Sequence, residues 1–236
     1  FNLHHPLNLE VIGAEAQHDN MQSAAYRVIW GFLRKCPASK VRFCIFDPKE
    51  GGGSVRMLSN FVNKMPDSYK RAVTQMSRTE ELLSCLKELE GQTLDFIRDR
   101  PDYDDLLDYN AHNPRRTEAI TLLMLYDFPL NADARCLELL SSVMQKGNRC
   151  GIYVVLCRNT AVEVASSYDH IDEKLAELEK NCVQIECKEN GFALLPYHLS
   201  VRLIEKPDAG QLEKFAVEYH KAVEKLSVQS IHFEEI

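Results

Sequence analysis

The sequence predicts an α/β fold with a mostly parallel central sheet and helices on both faces. Two observations carry this reading. Short β-branched runs alternate with longer segments of helical periodicity along nearly the whole chain. The most apolar of those runs are also continuous, as strands covered on both faces require. At 236 residues, 45% of them hydrophobic and 27% charged, the chain is long enough for one large domain with a full core.

Taken in order, Asn8 to Ile12 (NLEVI) is a strand ending at Gly13. Met21 to Lys35 follows as a helix with Ala24, Ala25, Val28, Ile29 and Phe32 at helical spacing. Val41 to Phe46 (VRFCIF) is a strand closed by Asp47-Pro48 and three glycines, Gly51 to Gly53. Met57 to Lys64 reads as helical and Ala72 to Gln75 as a short strand. Ser77 and Glu80 have capping-box spacing before a helix carrying Leu82, Leu83, Leu86, Leu89, Leu94 and Ile97, which Pro101 stops. Asp102 to Arg116 reads as an acidic, tyrosine-containing loop.

Ala119 to Tyr126 (AITLLMLY) is a buried strand ended by Asp127-Phe128-Pro129. Ala134 to Lys146 is a helix, Ile152 to Cys157 a strand and Tyr168 to Asn181 a charged helix. Cys182 to Cys187 and Phe192 to Leu195 form a hairpin through Glu189-Asn190-Gly191. Leu199 to Ile204 is a further strand, and Asp208 with Gln211 caps a last helix striped by Leu212, Phe215, Ala216, Tyr219, Ala222, Val223 and Leu226.

A net charge of -7 argues against a free-standing DNA-binding module, because backbone affinity comes from neutralising phosphates with Lys and Arg. The eight cysteines include no CxxC pair and fall partly in apolar strands, which reads as buried thiols of a reducing cytoplasm. No run approaches the roughly 18 apolar residues of a membrane span, and no signal peptide is visible. No direct membrane contact is expected. The chain starts at Phe1, as expected of a piece of a longer protein.

In an open α/β sheet the ligand sits beyond the C-terminal strand ends, often at the first strand-to-helix turn. That turn is Gly13 to Asn20. A working phosphate-binding loop reads Gly-x-x-x-x-Gly-Lys-Ser/Thr, so that backbone N–H groups cradle phosphate, Lys meets its charge and the hydroxyl binds Mg²⁺. Laid over this turn without a gap, only Gly13 survives. His18 stands at the second glycine, Asp19 at the lysine and Asn20 at the hydroxyl. An ion pair at about 4 Å is worth about 4 kcal/mol at an effective dielectric of about 20, so reversing its sign costs up to about twice that.

Several segments together resemble the FtsK/SpoIIIE family of RecA-like DNA translocase motors: VRFCIFDPKEGGG (Val41 to Gly53), LLSCLKELEGQTLDFIRDR (Leu82 to Arg100), TLLMLYDFP (Thr121 to Pro129) and KGNRCGIYVVLCRN (Lys146 to Asn159). The similarity runs from about Asn8 to Asn159, more loosely to about Leu195. It implies a RecA-like P-loop NTPase fold over residues 1–204, with a C-terminal helix and the start of a linker to a following domain over 205–236. It implies that Asp127 matches the Walker B aspartate of the Mg²⁺ shell and that Asn159 matches a polar sensor. Arg149 would face a neighbouring subunit. Phe128 stands where the family carries the glutamate that orients water, and a phenyl ring accepts no proton.

The candidate nucleotide-site positions are therefore Gly13, His18, Asp19, Asn20, Asp127 and Asn159, with no catalytic residue, no metal ligand set and Arg149 at an interface. The reading from sequence is a degenerate, non-hydrolysing motor domain that braces a ring or regulates a catalytic partner domain. Its partners would be other motor domains of the same protein, with DNA reached through the assembly. No cofactor is expected, and ATP with Mg²⁺ only if the site works. The alternatives are an active translocase in which Lys49 reaches the loop, or a protein-secretion motor acting as an interaction module. Read on their own, His18 is an exposed loop histidine, Asp47 and Lys49 are turn residues, and Arg149 and Asn159 make surface hydrogen bonds.

Overall fold

All nine residues of β4 (Ile120–Phe128) are buried, as the continuous apolar run requires. Its side chains divide by strand alternation: Leu122, Met124 and Tyr126 enter one core, Leu123 and Leu125 the other. The computed structural model describes residues 8–36, 40–49, 73–114, 116–162, 171–189, 191–205 and 207–231. The helix expected at Met57 to Lys64 lies outside them.

The other strands are β1 (Asn8–Gly13), β2 (Val41–Phe46), β3 (Val73–Met76), β5 (Ile152–Asn159), β6 (Cys182–Lys188), β7 (Gly191–Leu194) and β8 (Leu199–Val201). The helices are α1 (His18–Lys35), α2 (Thr79–Asp99), α3 (Leu106–His112), α4 (Ala134–Lys146), α5 (Ile171–Lys180) and α6 (Ala209–Ile231). The strands form one eight-stranded sheet in the order β3-β2-β4-β5-β1-β6-β7-β8. Pairings from β3 through β6 are parallel, and the hairpin of β6, β7 and β8 adds an antiparallel edge. One core lies under α1, α3 and α6, where Ala25, Ile29, Leu106 and Tyr219 meet Val11, Phe43 and Val155. The other lies under α2, α4 and α5, where Leu86, Leu137 and Leu178 meet Cys44, Val154 and Leu156. Trp30 of α1 meets Phe215 of α6 edge to face at 4.8 Å, so the last helix packs on the same core.

Four sequence expectations need correction. The stretch from Asp102 to Arg116 is not all loop, since α3 forms inside it. Asp105 caps that helix by accepting the Asp108 N–H at 2.8 Å, and buried Leu106 anchors it. Helix α1 starts at His18 rather than Met21. The capping box of α2 lies one residue further on than Ser77 and Glu80. Arg78 is the cap, and the Glu81 carboxylate accepts the N–H groups of Ser77 at 3.0 Å and Arg78 at 3.3 Å. The expected strand from Leu199 to Ile204 ends at Val201, whereas the Asp208–Gln211 cap forms as read, with reciprocal bonds of 2.7 and 3.1 Å.

The Ser77 N–H and then the Arg78 side chain hold the Glu81 carboxyl down at about 2, from an ordinary 4.5. Because the folded value is depressed, this cap stabilises the fold fully above about pH 4.5 and stops doing so as pH falls towards about 2. Thermal unfolding across the acid range should show wild type losing its advantage over Glu81→Gln as the solution is acidified. A difference that stays constant with pH would contradict this.

Candidate functional site

Parallel pairing brings the ends of β1 and β5 level, with Gly13 opposite Asn159. The Thr160 N–H then donates to the Gly13 carbonyl at 2.9 Å, tying the first strand-to-helix turn to the strand beside it. Gly13 is a matter of space: a Cβ there would lie 2.9 Å from Met21 Sδ and 3.2 Å from Gln17 Cβ. After it, Glu15–Gln17 forms a 3-10 turn leading directly into α1. The Ala14 N–H donates to Gln17 Oε1 at 2.8 Å and the Gln17 N–H to the Ala14 carbonyl at 2.8 Å. These donors, which a phosphate cradle would leave free, are spent within the loop itself.

Asp127 ends β4 in the left-handed backbone region, φ 49°, with its carboxylate buried. Its Oδ1 accepts from Lys49 Nζ at 3.1 Å and from Asn159 Nδ2 at 3.2 Å. His18 Nε2, on the first turn of α1, lies 3.8 Å from its Oδ2. Asn159 Nδ2 also donates to Glu15 Oε2 at 2.5 Å, and Lys49 Nζ is 3.7 Å from Glu15 Oε1. The Asp-x-Lys element is itself folded: the Asp47 N–H donates to the Met76 carbonyl at 2.8 Å, and Asp47 Oδ1 accepts the Lys49 N–H at 3.2 Å. Partial burial lowers the Lys49 pKa, but the hydrogen bond to Asp127 and the charges of Asp127 and Glu15 outweigh it and leave the ammonium above its ordinary value.

Five elements thus converge on one ionic cluster of Glu15, His18, Lys49, Asp127 and Asn159. Gly13, His18, Asp127 and Asn159 come together as the sequence indicated. His18 is half-buried on a helix beside a carboxylate, not exposed in a loop. Asn20 is turned away, donating from Nδ2 to the Lys188 carbonyl at 2.9 Å. Asp19 is exposed and makes no hydrogen bond or ion pair with the described residues. Arg149 is also exposed, and its guanidinium donates to the carbonyls of Asp104 at 2.9 Å and Tyr103 at 3.0 Å in its own chain. Phe128 is buried among Phe46, Met76 and Leu137, in the core under α2 and α4.

Sequence reasoning missed Glu15 altogether and took Lys49 for a turn residue, naming it as a cation that reaches the loop only in the active-translocase alternative. The available signal for Glu15 was an acidic side chain inside a loop that should attract phosphate. Among the described residues, no group of three His, Cys, Asp or Glu is placed to hold a metal ion. A Mg²⁺ ion at Asp127 would have to displace the Lys49 ammonium, and the side chain at Asn20, where the family hydroxyl ligand belongs, is already bonded elsewhere. The residues present do not fit a Mg²⁺–triphosphate.

The sequence matches no protein-family profile and no curated protein. Solved structures do resemble it. The pCW3 conjugation coupling protein TcpA, in a monomer form with ATPγS, is 12% identical with a TM-score of 0.62, over 91% of this chain and 65% of that one. EssC (ATPases 2 and 3) from Geobacillus thermodenitrificans is 13% identical with a TM-score of 0.56, over 92% and 44%. The cytoplasmic domain of the Thermomonospora curvata type VII secretion ATPase EccC is 17% identical with a TM-score of 0.53, over 76% and 20%. The chain therefore spans between 20% and 65% of the length of these proteins. At these identities the likeness is one of fold, and the fold is that of a RecA-like P-loop ATPase. Among the described residues no helix is long and apolar enough to cross a membrane.

Proposed function

We propose that this chain is an FtsK/SpoIIIE-like motor domain that does not hydrolyse ATP by itself and acts in ring assembly or in regulating a catalytic partner domain. The observation that carries this reading is the ion pair of Lys49 with Asp127, 3.1 Å long, within the site where Mg²⁺ and phosphate belong. The site supplies its own cation, puts Asp19 where the phosphate-binding lysine would be, and has a buried phenyl ring in place of a base. Reaching a productive state would mean breaking that pair and freeing the Ala14 N–H from Gln17.

Partners in this reading are other motor domains, in keeping with neighbours such as EssC that carry more than one ATPase. Exposed Arg149, in the turn between α4 and β5 and bonded to the connection between α2 and α3, would lie at such a contact. Residues 1–204 form the motor unit, and 205–236 continue it towards a following domain. DNA or a secreted polypeptide would be met by the assembly.

Isothermal titration with ATP and Mg²⁺, run beside a phosphate-release assay, tests this. No turnover is expected, with at most weak binding. Micromolar binding accompanied by turnover overturns the proposal.

The same ammonium supports a second reading, in which Lys49 swings from Asp127 to a phosphate and replaces the missing loop lysine. Lys49→Ala then abolishes whatever nucleotide affinity wild type has. If affinity is present and survives the substitution, that reading loses its only cation.

A further inference from the structure

A cavity of about 220 Å³ opens between the C-terminal half of α2 and the start of β4. Thr121, on its wall, precedes Asp127 by six residues on the same strand. At about 3.3 Å per residue this sets the cavity about 20 Å from the ionic cluster, at the opposite end of the sheet.

Thr121 is 5% exposed, and its hydroxyl makes no hydrogen bond with the described residues. That hydroxyl opens onto the cavity, so its hydrogen bonds are left to whatever occupies the cavity, water or ligand. Around it most of the open valences are acceptors, the exceptions being the second amide N–H of Gln92 and the N–H groups of Arg100 that Glu118 does not take. Gln92 donates its amide to Glu88 at 3.0 Å, which leaves its carbonyl oxygen. Asp95 gives Oδ1 to Arg98 at 2.8 Å and keeps Oδ2. Glu118 gives Oε1 to Arg100 and keeps Oε2. The one cationic side chain on the wall, Arg100, is neutralised by Glu118 and lies over the Tyr109 ring at 4.1 Å and the Phe96 ring at 5.2 Å.

Three carboxylates against one guanidinium, with a hydroxyl, an amide oxygen and two carboxylate oxygens still open, favour a cation that supplies several N–H donors. A guanidinium does this, with five N–H groups in one plane and no acceptor. An anion would meet the carboxylates of Asp95, Asp99 and Glu118. We propose that this cavity binds an alkyl guanidinium, carried either by a small free cation or by an arginine side chain of a polypeptide. The site is independent of the nucleotide site and of any reading of it.

Calorimetric titration of the whole chain with agmatine, and in parallel with the peptide amide Gly-Arg-Gly, tests this at near-physiological salt. Saturable binding to one site per chain is expected. Thr121→Val should weaken it by about tenfold or more, the value of one hydrogen bond to a charged group, and Asp95→Asn by about tenfold. Glu218→Gln, an exposed acid on α6, should leave it unchanged and so separate the cavity from general attraction to an acidic surface. If Thr121→Val does not fold, Asp95→Asn on the exposed face of α2 decides alone. Absence of saturation, or binding indifferent to both cavity substitutions, overturns the proposal. Tighter binding of the peptide assigns the guanidinium to a polypeptide, and tighter binding of agmatine to a small cation.

Discussion

Arg158→Met destabilises the protein by about 3–5 kcal/mol, the cost of leaving a buried charge unpaired. The charge is Glu10, on β1 and 1% exposed. Arg158 Nη1 lies 3.4 Å from Glu10 Oε1 and also pairs with Glu179 of α5. The other Glu10 oxygen accepts from Gln184 Nε2 at 2.8 Å. Without Arg158, one neutral amide is left to solvate a carboxylate inside the sheet. Replacing both members, Glu10→Leu with Arg158→Met, should return most of the loss, because apolar groups of similar volume need no partner. Urea unfolding of the single and double variants checks this. A double variant no more stable than Arg158→Met would show that packing, not the orphaned charge, sets the cost.

Asn8→Leu should cost about 3 kcal/mol. Asn8 is 1% exposed and makes three bonds with its amide: Nδ2 donates to the carbonyls of Met144 at 3.0 Å and Asn181 at 3.2 Å, and Oδ1 accepts the Val154 N–H at 3.1 Å. One side chain thereby ties the start of β1 to β5, to the end of α4 and to the turn before β6. Asn8→Asp preserves the shape but turns a carboxylate towards two carbonyls, so it should recover little. Chemical denaturation gives the stability, and hydrogen exchange at the Val154 amide gives the location. A loss below about 1 kcal/mol with unchanged exchange would mean that water replaces the amide.

The parallel sheet was legible because strands buried on both faces leave continuous apolar runs, and VRFCIF, AITLLMLY and IYVVLC occupy three adjacent central strands. Helix α3 was not legible. Seven residues including Asp, Tyr, Asn and His carry almost no periodicity, and the helix rests on contacts remote in sequence. Leu106 fits against Gly151, where φ is 72° and any Cβ would strike its side chain, and Arg149 holds the carbonyls just ahead of it. At the site, Gly13, Asp127 and Asn159 were legible because sheet topology alone brings strand ends together. Glu15 was not, and Lys49 entered only through one alternative reading, since their meeting depends on how two turns fold back over those ends. Local spacing carries no signal of that kind.

The burial of Phe128 bears on how such a domain can change over generations. A glutamate at that position would set an unpaired carboxylate among Phe46, Met76 and Leu137, so a substitution that places a base there also damages the core. A strand end re-aimed towards solvent would have to arrive first, and by itself it would expose a phenyl ring and gain nothing. Descent from a phenylalanine at this corner therefore runs in one direction. Mutations that improve packing are open to selection at each step, while the road to a water-orienting carboxylate crosses an intermediate less fit than either end.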